Sequence, residues 1–234
     1  YESGDMILAT NNAERLRINA AGNVGIGVTP EAWHSNATAL QVGDLGALWV
    51  YDDNSNPEQL ILSENVYNNG EERYIQTDYA SAHTQRHGVH TFKVAPSGSA
   101  DAAISWTTAM TIANDGNMGI GTSTTYGKVT IEHAKGINNG LTLAVSDATA
   151  NDNITGIQFS TNSVVSRPRA AIYSKSVTSQ GVAGWGADLI FATRGAPDAS
   201  TISESDERMR IDSSGRVLLG GKTGSNFAVA GTEL

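Results

Sequence analysis

Three histidines, His83, His87 and His90, fall within eight residues. Imidazoles at that density could ligate a metal ion, but spacings of four and three form no ligand pattern, and a polar loop is the expected setting. Acids stand side by side at Asp52-Asp53, Glu71-Glu72 and Asp206-Glu207. Cleaving a glycosidic bond needs two carboxyls facing each other across the sugar, whereas neighbours on a strand point to opposite faces. These pairs are therefore read as solvated surface charge. Asp52-Asp53-Asn54-Ser55-Asn56 gathers oxygen donors as a calcium loop would, but it lacks the glycine and the terminal acid of an EF-hand and reads as a polar hairpin loop. Gly221-Lys222-Thr223 lacks the earlier glycine of a phosphate-binding loop, because Arg216 stands there, and no GxSxG elbow occurs. Trp33, Trp49, Trp106 and Trp185 can pack or can offer a flat apolar face to a sugar. Trp106, just ahead of a strand-turn-strand segment, is expected to pack. Trp185, among Gly181, Gly184 and Gly186, is the candidate glycan contact. No catalytic residue, cofactor or metal ligand is assigned, and the chain is read as non-enzymatic.

The composition narrows the partners. The 234 residues carry 15 Lys and Arg against 24 Asp and Glu, a net charge of −9. Nucleic-acid binding needs a basic footprint that displaces counterions from phosphates, and no Lys/Arg cluster exists. The same sign disfavours an anionic membrane surface, and no apolar run approaches the roughly 20 residues of a membrane-spanning helix. Without cysteine there are no disulfides to reinforce a small core. Aromatic residues are 6% of the chain while Gly numbers 25. That balance points to many short strands and tight turns around thin layers of small aliphatic side chains.

The elements that must carry these residues come in repeats. Arg15-Leu16-Arg17-Ile18-Asn19-Ala20-Ala21-Gly22-Asn23-Val24-Gly25-Ile26-Gly27 recurs as residues 109–121 and, more loosely, as 208–220. The turn glycines Gly22, Gly116 and Gly215 lie 94 and 99 residues apart. Leu16 and Ile18 alternate with arginines, and Val24 and Ile26 with glycines, the period of half-buried strands. The linking residues Asn19 to Asn23, with Gly22 placed late, suit a type I turn closed by a left-handed glycine. Gly25, Gly27, Gly119 and Gly121 suggest that another backbone approaches closely, in a trimer that of a second chain; Leu218 replaces the first of them in the third copy. Upstream, Phe92 and Phe191 each precede a methionine of the hairpin by 18 residues, and Leu60-Ile61-Leu62 aligns with Ile157-Gln158-Phe159. Further strands are expected at Leu45–Tyr51 and Ala170–Ser174, and one turn of helix at most at Thr29–Trp33.

Glu14-Arg15-Leu16-Arg17-Ile18, Gly22-Asn23-Val24-Gly25-Ile26-Gly27, Val28-Thr29-Pro30-Glu31-Ala32-Trp33 and Leu40-Gln41-Val42-Gly43 together resemble a recurrent element of bacteriophage tail fibres and tailspike-like proteins. Ser205 to Ile211 with Val217 to Thr223 is similar to the version found near the carboxyl end of such fibres, upstream of an intramolecular chaperone. The resemblance implies an all-β fold: an elongated trimeric fibre of tandem ~95-residue repeats with hairpins and little helix. Residues 1–27 would end a preceding repeat, 28–121 and 122–220 would form repeats A and B, and 221–234 would begin another. The expected trimer core is Leu16, Ile18, Val24, Ile26, Met110, Ile112, Met118, Ile120, Met209, Ile211, Val217 and Leu219. Some fibres hold iron on the three-fold axis through histidines two apart on a strand, a spacing absent here. The expected role is structural and adhesive, in a virion tail fibre outside the cell. Its partners would be two further copies, adjoining fibre segments and a bacterial surface glycan or protein. A glycan depolymerase and a cellular adhesin or filament subunit are the alternatives.

Overall fold

The computed structural model describes residues 4–52, 59–132, 141–143, 154–160, 168–176, 186–195 and 202–220. The fold is all-β. A single 3₁₀ turn at Glu204–Asp206 is the sole helical element among the described residues. The chain divides into two compact units, Tyr1–Leu141 and Thr142–Leu234.

The first unit is organised by an eleven-stranded sheet. Strands β1 (Met6–Thr10), β2 (Ala13–Ile18) and β3 (Val24–Ile26) form a meander, and β3 pairs in parallel with β4 (Ala37–Val42). From β4 the sheet runs antiparallel through β5 (Gly46–Tyr51) and β6 (Gln59–Glu64). It continues through β9 (Asp78–Arg86), β10 (Val89–Gly98), β11 (Thr107–Ile112) and β12 (Met118–Ile120). A second parallel joint then leads to β13 (Val129–Ile131). Between β6 and β9 the small ribbon of β7 (Val66–Asn68) and β8 (Glu72–Tyr74) leaves the sheet. The second unit repeats the later part of this order. Its five strands are β14 (Ile154–Phe159), β15 (Ala170–Ser176), β16 (Ala187–Thr193), β17 (Glu207–Ile211) and β18 (Val217–Leu219).

The repeated hairpin is built alike three times. Asn19 donates its N–H to the Asn23 carbonyl at 2.9 Å, and Gly22 donates to the Asn19 carbonyl at 2.9 Å. Ala113/Asn117 with Gly116, and Asp212/Arg216 with Gly215, reproduce both bonds. Gly22, Gly116 and Gly215 sit at φ of +86°, +77° and +80°, where a side chain would clash with its own carbonyl. Thr29–Trp33 forms no helical turn; Trp33 instead donates its N–H to the Glu31 carbonyl at 2.8 Å.

One repeat alignment is corrected. Leu62 stands opposite His83, which stands opposite Phe92. In the second unit Ile157 stands opposite Ile172, which stands opposite Phe191. Leu62 therefore corresponds to Ile157 and not to Phe159. The shift is two residues, which keeps every side chain on its own face.

The second backbone expected beside the glycines is the chain's own. A Cβ on Gly25 would overlap the Val28 carbonyl oxygen, and one on Gly119 would overlap that of Thr122. In both copies the chain leaves the hairpin, turns back and lays the carbonyl three residues on against the strand. Gly121 meets the Glu132 carbonyl oxygen in the same way. At Gly27 nothing lies within 4 Å, so its φ of +71° and not a neighbour requires glycine. Gly25→Ala is accordingly expected to cost about 3 kcal/mol, the upper range for forcing atoms into a packed site. Gly27→Ala is expected to cost about 1 kcal/mol, the penalty of a left-handed alanine. Urea titrations of the two variants, followed by circular dichroism, would separate them.

Candidate functional site

The sheet of the first unit has two unlike faces. One carries small or polar residues: Ala37, Ala39 and Gln41 on β4, Ala47 on β5, Ser63 on β6, and Ala80, Ala82 and Thr84 on β9, all buried. Small side chains let a covering layer approach closely. That layer is the β7–β8 ribbon with Trp33, Tyr67 and Tyr74. Together with Trp49 (1% exposed) and Ile61 (1% exposed) they make the core. Trp33 packs against Trp49 with ring centroids 5.4 Å apart and edge-on to Tyr67 at 6.4 Å. The Trp49 indole N–H donates to Ser63 Oγ at 3.0 Å. Trp106 also packs here, donating its indole N–H to Glu72.

Asn65, with φ of 59° and 1% exposure, anchors the start of the ribbon. Its amide nitrogen donates to the carbonyls of Gln76 (3.1 Å) and Tyr79 (2.8 Å), while its Oδ1 accepts the Gln76 N–H at 2.7 Å. On the far side of the ribbon the Tyr67 hydroxyl donates to Asp101 Oδ1 at 2.8 Å. Burial, then that bond and the Asp101 charge, push the Tyr67 phenol up to about 12. Burial and the Asp101 charge also raise the Glu31 carboxyl above its usual range. This meeting of Glu31, Tyr67 and Asp101 was not legible in the sequence, because the three lie on separate segments.

The other face carries the large aliphatic residues, and no described residue of the first unit forms a layer over it. Cross-strand pairing lines them up in one row that spans all eleven strands. It runs Met6, Ile18, Val24, Leu40, Leu48, Leu62, His83, Phe92, Met110, Ile120 and Ile131. Every member is half-buried or exposed, with Leu62 at 60% and Leu48 at 42%. A flanking row starts Leu8, Leu16, Ile26, Val42 and ends at Gly46, Glu64, Ser81 and Val94. At that end the small Ser81 leaves a dent of about 380 Å³ bounded by Leu62, Glu64, His83, Phe92 and Val94. Soluble antiparallel sheets normally turn their apolar face to the core and their polar face to water. Here the uncovered face is the one with the larger aliphatic side chains, an exposed patch of the kind that marks an interaction surface.

The second unit repeats the arrangement. Ile157, Ile172, Phe191, Met209 and Leu219 form one uncovered row across its five strands. Ile190 (0% exposed), Ala192, Ala171 and Tyr173 are buried on the opposite face. That face is braced by ion pairs: Arg210 with Asp188 and Glu207, Lys175 with Glu204 at 2.7 Å, and Arg194 with Asp206 at 3.1 Å. The same device recurs in the first hairpin. Arg17 pairs with Glu14 three residues back and with Asp5, whose other oxygen accepts the Ala20 N–H at 3.1 Å, just as Asp188 accepts that of Ser213 at 2.9 Å. Thr111 replaces the arginine in the middle copy; it is buried, and its hydroxyl has no hydrogen-bond partner.

The expected core residues all lie on the uncovered faces. Leu16, Ile18, Val24, Ile26, Met110, Ile112, Met118 and Ile120 share that of the first unit, and Met209, Ile211, Val217 and Leu219 that of the second. None of the twelve is buried within its own chain. The histidine expectation is corrected. His83 is on β9 and His90 on β10, both on the uncovered face, and only His87, with φ of 51°, occupies the turn. The reading of Asp206-Glu207 as solvated charge is also corrected, since both are buried in the ion pairs above. Glu71 is exposed beside Arg73. Trp185, Asp53 to Asn56, and Gly221 to Thr223 lie outside the described residues. Among the described residues no group of three or more His, Asp or Glu could hold a metal ion. No helix among them is long and apolar enough to cross a membrane. No family model matches the chain, and no curated protein matches it.

Proposed function

We propose that this chain is a structural and adhesive segment of a phage-type tail fibre that works as a homotrimer, with its uncovered sheet faces turned toward one another. One observation carries the reading: in both units the larger aliphatic residues of a repeated sheet are gathered on the face that the described residues of that unit leave open. A face of this kind gains about 25 cal/mol for each Å² of apolar surface removed from water. A second copy of the chain is the occupant that supplies a matching apolar face in every repeat. The polar loops outside the assembly would then touch a bacterial surface polymer, with three-fold avidity strengthening weak contacts.

The experiment is the mass in solution. Sedimentation equilibrium at micromolar concentration is expected to give three times the 24.5 kDa of the chain. A well-folded species of 24.5 kDa under the same conditions refutes the reading. Attachment is tested separately, by binding of the trimer to host cells from which surface glycans have or have not been stripped.

A further inference from the structure

We propose that the His83–His90 pair is the polar recognition element of the open face: copies of the chain join there through uncharged imidazoles, and acid separates them. The proposal rests on the trimeric reading above. The pair sits inside the apolar surface, on the seventh and eighth strands of the eleven. His83 Nε2 and His90 Nδ1 are 3.1 Å apart, a hydrogen bond that requires one of the two nitrogens to be unprotonated. The His83 ring lies flat on Phe92 at 4.4 Å and 3°, and against His90 at 5.3 Å and 17°, so both rings are held in place.

The proton count makes the pair self-complementary. Whichever ring donates within the pair, one N–H donor and one bare acceptor nitrogen remain pointing away from it. A hydrocarbon partner would bury both unsatisfied. A second copy of the same pair can satisfy them, and in a cyclic trimer the three donors and three acceptors match one to one. Protonation of both rings turns all four nitrogens into donors. The internal bond is then lost, and two like charges face each other.

Few other charges lie nearby to compensate. From β6, Leu62 is directly opposite His83, and Glu64 is one register step away, within reach of the Ser81 hydroxyl at 3.4 Å. Gln85 on β9 stands opposite His90, and on β11 the neighbours are Met110 and Ile112. Lys93 of β10 projects to the other side, 5.9 Å over the Trp106 ring. Arg86 is the last residue of β9, opposite Val89, and His87 lies in the turn that follows.

The test is sedimentation of the full chain between about pH 8 and about pH 5, the range in which imidazole is the side chain suited to change its charge. A group that must enter the assembly uncharged leaves its contribution intact above its solvent titration point and loses it as pH falls. Each such imidazole costs about tenfold in the association constant per pH unit below that point. The trimer association constant is therefore expected to be flat near pH 8 and to fall at least tenfold by about pH 5.5. The double variants His83→Leu/His90→Leu and His83→Gln/His90→Gln, one apolar and one polar, are both expected to lose that dependence; either one that folds suffices. A trimer whose association does not change with pH, or a double variant that keeps the wild-type slope, overturns the histidine proposal and leaves the trimer standing. A chain that is already monomeric at about pH 8 overturns the trimer reading itself.

Discussion

On the trimeric reading proposed above, Leu62→Asp is expected to separate the assembly into folded single chains. Leu62 is 60% exposed in its own chain and lies in the middle of the uncovered row, between Leu48 and His83. For a monomer such a site is benign, because the aspartate would stay in water. In a trimer the change is made three times. Each copy forgoes about 2 kcal/mol of leucine burial and, at about pH 8, must strip a carboxylate of water with no Lys or Arg among the described residues of that face to receive it. The summed loss of at least about 6 kcal/mol lowers the association constant by four orders of magnitude or more. Analytical ultracentrifugation reads the outcome, and circular dichroism checks that the strands persist. Asn114→Asp, in the exposed turn after β11, is the control and is expected to leave the mass unchanged. A Leu62→Asp protein that sediments like the wild type would show that the open face is not where copies meet.

Arg210→Ala is the substitution expected to damage a unit from within. Arg210 bridges Asp188 and Glu207, whose side chains are each 5% exposed. Removing it leaves two carboxylates buried without their cation, which costs about 3 kcal/mol, the low end for breaking a buried ion pair. Asp188 also holds the hairpin turn through the Ser213 N–H, so the loss should spread along β16, β17 and β18. Hydrogen exchange of those strands is the direct measurement. Arg210→Lys, which keeps the charge but not the forked geometry, should fall between Ala and wild type. Arg17→Ala removes the same device in the first hairpin, where the partners Asp5 and Glu14 are 30% and 29% exposed, and its effect should be much smaller. Equal effects at the two arginines would mean that burial does not set the strength of the motif.

Local chemistry alone determined the hairpins. Asn19 to Asn23 and its two copies place a glycine where the backbone must take a positive φ, and the alternation beside them fixes strand and period, so turn and strands were legible from short range. The all-β class followed from the same signals repeated along the chain. What alternation could not settle is which face is covered. On β5, Ala47 and Trp49 point one way and Leu48 and Val50 the other, so both faces read as apolar. The choice belongs to the β7–β8 ribbon, which folds over the side with the small residues because only there can Trp33, Tyr67 and Tyr74 approach the sheet. Three other outcomes were likewise decided in three dimensions. His83 and His90 became neighbours through the pairing of β9 with β10. Gly25 is glycine because its own chain returns over it. Asp206 and Glu207 are buried because arginines from β17 and from the segment after β16 meet them. A sequence specifies which groups alternate and where the chain turns; contacts between distant segments exist only once the sheet has brought them together.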